Sequence, residues 1–200
     1  DGAMGGIDLS NSSKAARGQN EQEIDGILGA DILFPTKAVL DCHAQLLVLK
    51  MDPQLSGPIP GFNFRGFHGV PLRVSAGYNL YVNGTINGAA AEFMVDTGAF
   101  TSLLHREFVR RMKIPLRETP FTSASVNLRE RGVEVATIQR LSIGDVNFRK
   151  KNVGVMDLHG LIHDDLLDAS PPVAGLLGSE ILRRHPGIID FGKRTHYLQW

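Results

Sequence analysis

The stretch 91-AEFMVDTGAFTSLL-104 sets an apolar run against one carboxylate, one hydroxyl and one glycine. Phe93, Met94 and Val95 deliver Asp96 to the end of a strand expected to be buried. Thr97 offers a hydroxyl, and Gly98 lets backbone approach where a side chain would block it. A carboxylate in apolar surroundings is costly unless it is hydrogen-bonded or protonated, so Asp96 calls for a chemical reason. Two readings compete. Asp96 is a catalytic acid/base, or it is a turn carboxylate that caps backbone N–H groups at a strand end. The first reading raises a question of number, because carboxylate acid–base chemistry of this kind needs a second acid.

Working outward, 78-YNLYVNGTINGAAAEFMVDTG-98 holds two apolar runs separated by Asn87-Gly88, the dipeptide that supplies positive φ for a tight hairpin. On the other side, 102-SLLHREFVRRMKI-114 keeps Leu104, Phe108 and Met112 on one face and stops before Pro115, which predicts a short helix. Alternation resumes in 133-VEVATIQRLSIGDVNF-148, with Gly144-Asp145 as a turn. A second short helix is expected in 178-GSEILRR-184, and closing strands in 187-GIIDF-191 and 195-THYLQW-200. The fold class is therefore all-β: a small closed β barrel carrying short helices.

The chain repeats itself. GILGADIL at 26–33 matches GLLGSEIL at 175–182, and AVLD ending at Asp41 matches GIID ending at Asp190, both at a shift of 149 residues. Carried backwards without a gap, the shift pairs Gly5, Asp8 and Leu9 with Gly154, Asp157 and Leu158. The gapless register favours native sequence over a cloning remnant at GAMG, 2–5. Residues 1–50 then read as the back half of a first lobe and 70–200 as a complete second one. Between them, 51–69 is dense in Pro and Gly and reads as a linker pinned by Phe62, Phe64 and Phe67.

VDTGAFTSLL and, further on, GLLGSEIL followed by GIIDF occur in the order of the two signatures of retropepsin-like aspartic peptidases, and the chain resembles that family. The resemblance implies a closed barrel of retropepsin type in two related lobes, and hydrolysis of peptide bonds with no metal or organic cofactor. In that family two aspartates share one proton, the ionised one activating water and the protonated one polarising the scissile carbonyl. Carried to this chain, Asp96 is the catalytic residue, Thr97 braces paired turns, Gly98 is the close-approach glycine, and Leu176, Leu177 and Gly178 support the turn from behind. A flap hairpin is expected within 121–136, around Ala124, Ser125 and Val126, although only Gly132 there supplies the glycine such a tip normally carries.

Other residues receive plainer readings. Lys plus Arg and Asp plus Glu both number 21, so there is no basic field to attract nucleic acid or anionic lipid, and no apolar stretch is long enough to cross a membrane as a helix. Cys42 is the only cysteine, so it forms no intrachain disulfide and reads as a small core residue. Asp41 and Asp190 read as turn acceptors, and HREFVRR, 105–111, as the wet face of a helix. HGLIHDD, 159–165, reads as a solvated loop in spite of its metal-ligand residue types, so no metal ligand is assigned.

The expected function is an aspartic endopeptidase acting on a peptide or protein substrate. The alternatives are a catalytically silent retropepsin-like peptide- or protein-binding module, and a tandem dimerisation or interaction domain. The second aspartate is expected from a partner lobe upstream of Asp1 in preference to a homodimer mate, because the attached half lobe would occupy the surface such a dimer needs. Compartment and substrate preference are not legible.

Overall fold

The computed structural model describes residues 27–52, 54, 59, 61–118, 123–124, 129–130, 134–164, 166–168, 172–184 and 187–199. Helix α1 (Ala30–Leu33) leads into strands β1 (Val39–Asp41) and β2 (Leu46–Val48), followed by β3 (His68–Val74), β4 (Leu80–Ile86) and β5 (Ala89–Val95). Strand β6 (Leu103–His105) runs into helix α2 (Arg106–Arg111). Then come β7 (Leu116–Glu118), the short strands β8 (Ser123–Ala124) and β9 (Arg129–Glu130), and the long pair β10 (Glu134–Ile143) and β11 (Val146–Met156). Helix α3 (His159–His163), β12 (Gly175–Leu177), helix α4 (Ser179–Arg184), β13 (Gly187–Asp190) and β14 (Thr195–Leu198) follow.

Strand β4 pairs with β5 on one side and with β10 on the other, so β4, β5, β12, β6, β11 and β10 close into a ring. Closure removes the free edges that an open sheet of this length would present. Gly84 permits it: a Cβ there would stand 2.3 Å from the Ser142 carbonyl, where β4 crosses onto β10. The hairpin at Asn87-Gly88 forms as expected, with φ of 51° and 87° at the two turn residues. Inside the ring, Val82, Ile86, Phe93, Leu104, Ile138, Ile143 and Leu177 pack as one core. Tyr81, Met156, Leu158, Leu167, Val173 and Leu176 form a second cluster on the side of α3. This is the closed retropepsin-type barrel with short helices.

The helix predicted over 102–114 is shorter and starts later. Leu103 and Leu104 are taken into β6, which pairs in parallel with Gly154–Met156 and antiparallel with Gly175–Leu176. His105 stays extended (φ −68°, ψ 128°) and only then does α2 begin. Leu104 and Phe108 both reach the core from different elements, which is why their spacing imitates a helical face. The segment read as a linker is also shorter, since β3 begins at His68. Phe62, Phe64 and Phe67 pack with Val39, Ile59, Ile188 and Tyr197, and the Phe64 and Tyr197 rings lie 4.6 Å apart.

Strand β3 carries the sheet out of the barrel into an open ribbon of order β3, β14, β13, β1, β2. At its middle Leu40 faces Ile189, the residue 149 positions further on. Cys42 N–H donates to the Gly187 carbonyl (3.1 Å) and Phe191 N–H to the Ala38 carbonyl (3.0 Å), two bonds that exchange under the same shift. Each hairpin turns through a left-handed residue at the equivalent place, Gln45 (φ 55°) and Arg194 (φ 51°). Asp41 Oδ1 accepts the Ala44 N–H and Asp190 Oδ1 accepts the Lys193 N–H, so both aspartates are turn acceptors. The two hairpins thus pair about a local twofold through Leu40 and Ile189.

Candidate active site

Strand β5 ends at Val95, and the Asp96 N–H donates to the Leu177 carbonyl (3.0 Å), which anchors the start of the turn. The Asp96 carboxylate then closes that turn on itself: Oδ1 accepts the N–H groups of Gly98 (2.9 Å) and Ala99 (3.1 Å). Both bonds use one oxygen. Oδ2 has no protein partner among the described residues and remains for a water or a proton. The half-buried Asp96 is therefore a turn cap whose second carboxylate oxygen is uncommitted among the described residues. Thr97 and Gly98 are exposed beside it, and Phe100 is 89% exposed at the tip of the turn.

The turn is held from behind by β12, which lies between the two strands flanking it. Gly175–Leu177 pairs in parallel with Phe93–Val95 and, on its other edge, Gly175 and Leu176 pair antiparallel with Leu104 and Leu103. Leu177 enters the barrel core and Leu176 the second cluster, so adjacent side chains lock the strand into both. At Gly178 a Cβ would stand 2.5 Å from Thr101 C and 2.7 Å from Ser102 N, both backbone atoms, so this position accepts only glycine without a shift of the turn.

Four residues that the sequence did not single out, Ser102, Lys151, Ser179 and Glu180, complete the support. Gly178 N–H donates to Ser102 Oγ (2.9 Å), Ser102 N–H donates to Glu180 Oε2 (2.9 Å), and Lys151 Nζ lies 2.9 Å from Glu180 Oε1. Ser179 N–H donates to the Ala99 carbonyl and its Oγ to the Phe100 carbonyl. Only Ser179 left a signal: it stands where the matching motif at 26–33 has Ala30, whereas Glu180 stands where that motif has Asp31, another acid.

Of the flap residues, Ala124 lies in β8, opposite Arg129 of β9, while Ser125 and Val126 lie outside the described residues. Cys42 packs against the core, and its thiol is pushed up to about 11 by burial and then by Asp41, so it is not a nucleophile at neutral pH. One Asp-Thr-Gly turn is present, and none of Asp96's described partners is a second carboxylate. Away from the turn, at the other end of β6, the chain brings His105, Glu107 and His159 together. No spacing in the sequence connects His159 with the other two.

No curated protein matches the chain. Among solved structures it is similar to a retropepsin-like aspartic protease from Rickettsia conorii, at 24% identity and a TM-score of 0.48, over 66% of this chain and 90% of that one. It is also similar to the retroviral protease-like domain of Ddi1 from Leishmania major, at 18% identity and a TM-score of 0.36, over 56% of this chain and 81% of that one. The family described as "gag-polyprotein putative aspartyl protease" matches residues 82–184, just over half of the chain. That match runs from β4 to the end of α4 and takes in both the Asp96 turn and the Leu176–Gly178 segment behind it; the chain belongs to this family of retropepsin-like aspartic proteases.

Proposed function

We propose that this chain by itself is a catalytically silent retropepsin-like module that holds an extended peptide or protein segment. It becomes an aspartic endopeptidase when a companion lobe sets a second aspartate against Asp96. The chemistry requires two groups: an ionised carboxylate to take a proton from water and a protonated one to polarise the carbonyl under attack. Asp96 with its free Oδ2 can serve as either, and cannot be both at once.

The carrying observation is an apolar face without cover among the described residues. Ile27, Leu28 and Ile32 are 71%, 45% and 40% exposed, whereas the residues 149 positions on, Leu176, Leu177 and Ile181, are 5%, 0% and 1% exposed. In 70–200 Leu177 and Ile181 enter the barrel core and Leu176 the second cluster, whereas Ile27, Leu28 and Ile32 have no comparable cover among the described residues. In this reading residues 1–50 are the back of a first lobe, 51–69 the connection, and 70–200 the complete second lobe. A companion that supplied strands like β5 and β6 would bury Ile27 and Leu28 between them, and the twofold through Leu40 and Ile189 would carry its own turn toward Asp96. A homodimer of this chain is disfavoured, because β1 already pairs with β13, the edge a second copy would need.

Incubation of the 200-residue chain with an unfolded protein at acid pH tests the silent half of the reading. No cleavage is expected from the wild type. Cleavage that disappears in Asp96→Asn would instead assign full activity to copies of this chain alone.

A further inference from the structure

His105 ends β6 and is only 5% exposed, so its ring is fixed by packing. Glu107 follows in the first turn of α2, and His159 opens α3, which β11 delivers to the same place by pairing Met156 with His105. Glu107 Oε2 lies 3.8 Å from His105 Nε2 and 3.3 Å from His159 Nε2, and the three ligand atoms fall within 4.8 Å of one another. The two imidazoles meet nearly edge to face, with centroids 4.8 Å apart at 72°.

A fourth residue orients the third. Asp157 Oδ1 lies 2.6 Å from His159 Nδ1 and also accepts the His159 backbone N–H (3.0 Å). A carboxylate on Nδ1 holds the proton there, leaving the Nε2 lone pair aimed at Glu107 Oε2, an atom that also carries only lone pairs. Two such atoms at 3.3 Å need a cation between them. A proton would serve His159 and Glu107 but would leave the Nε2 of His105 outside the bond, whereas a metal ion serves all three.

We propose that His105, Glu107 and His159 bind one divalent transition-metal ion of the zinc class. Metal–nitrogen distances of 2.0–2.1 Å give a tetrahedron with edges of about 3.3 Å, so the set needs a contraction of about 0.5 Å at the His105–Glu107 edge and up to about 1.5 Å between the two imidazoles. Glu107 and His159 are more than half exposed and free to supply it. Binding through His105 Nε2 puts that ring's proton on Nδ1 and gives up the long Leu158 N–H bond to it (3.2 Å). Two imidazoles and one carboxylate suit zinc better than calcium or magnesium, and the charges of Glu107 and Asp157 balance the ion. The fourth position opens on a cavity of about 270 Å³ walled by Phe108, Ile162 and Val173. The site lies three residues along β6 from Ser102, about 10 Å of strand, so its ion would clamp α3 to α2 and would not meet substrate at Asp96.

The test is calorimetric titration of Zn²⁺ into chelator-treated, tag-free chain, with Co²⁺ absorption as the geometric probe. One site per chain, tetrahedral Co²⁺ bands and a raised melting temperature are expected. Glu107→Gln and His159→Ala should each weaken binding by more than tenfold, and Asp157→Asn by roughly ten- to a hundredfold through loss of the oriented imidazole. His163→Ala, a neighbouring histidine outside the set, should bind as the wild type does. Absence of saturable binding, or wild-type affinity in Glu107→Gln and His159→Ala, would overturn the site. Neither result depends on peptidase activity.

Discussion

Gly98 and Ala99 donate to the same oxygen of Asp96, so the other oxygen is free for chemistry while the first keeps the turn in shape. The two roles separate by substitution. Asp96→Asn retains an acceptor for both N–H groups and is expected to melt within about 1 kcal/mol of the wild type, whereas Asp96→Ala orphans them and should cost about 1–2 kcal/mol. Denaturant titration reads the difference. Asp96 was legible because its apolar strand and small neighbours are local in sequence. Ser102 and Glu180 were not, since their roles depend on the contact between residues 78 positions apart.

His196 carries a second prediction at this scale. It is fully buried in β14, its ring nitrogens have no hydrogen-bond partner among the described residues, and burial holds its pKa at about 4. Because the folded value lies below the unfolded one, the unfolded state takes up the proton first. Stability is complete above about pH 6.5 and falls as pH drops toward 4, by about 3 kcal/mol in all. His196→Leu, which installs the side chain found at the equivalent Leu47, should remove that part of the acid sensitivity. Equal losses for wild type and variant between pH 7 and pH 4.5, measured by urea unfolding, would count against it.

Elements follow the sequence where pairing partners are near and depart from it where they are distant. The β4–β5 and β10–β11 hairpins were readable from alternation and a two-residue turn. β6 was not, because its partners are β11 and β12, some fifty and seventy residues away, and without them Leu103 and Leu104 read as helix. A partly buried ion-pair network ties β3, β5 and the segment after α3 in the same non-local way. Arg73 grips Glu92 with two bonds (2.8 and 2.9 Å), reaches Asp168 (2.7 Å), and lies over the Tyr81 ring. Glu92 is only 8% exposed, so Arg73→Met strands a charge and should cost about 2–3 kcal/mol, short of a fully buried pair because Arg73 is itself partly exposed. Adding Glu92→Leu should recover most of the loss, and a double-mutant cycle that shows simple additivity would contradict the pairing.

At the level of the whole molecule, the sequence shows matching segments at a constant shift of 149 residues, and strand pairing sets Leu40 opposite Ile189, the residue at that shift. What no sequence pattern could state is exposure: that Ile27, Leu28 and Ile32 lie open where Leu176, Leu177 and Ile181 are buried. Polar substitution at Ile27 and Leu28 should therefore leave the melting temperature of this chain within about 1 °C, a surface-type effect, and should matter only when a companion lobe is present.

The shift also specifies the companion most simply built. On the proposed two-lobe reading Asp1 corresponds to Lys150, and a copy of residues 70–149 joined ahead of Asp1 is expected to complete a first lobe that carries its own Asp-Thr-Gly turn. Cleavage of an unfolded protein at acid pH, compared between this fusion and the 200-residue chain, tests the dyad directly. The fusion should cleave where the single chain does not, and Asp96→Asn in either lobe should abolish the activity. A fusion that folds but cleaves no more than the single chain, or that still cleaves with both aspartates replaced, would contradict the assignment of Asp96 as half of a shared catalytic pair.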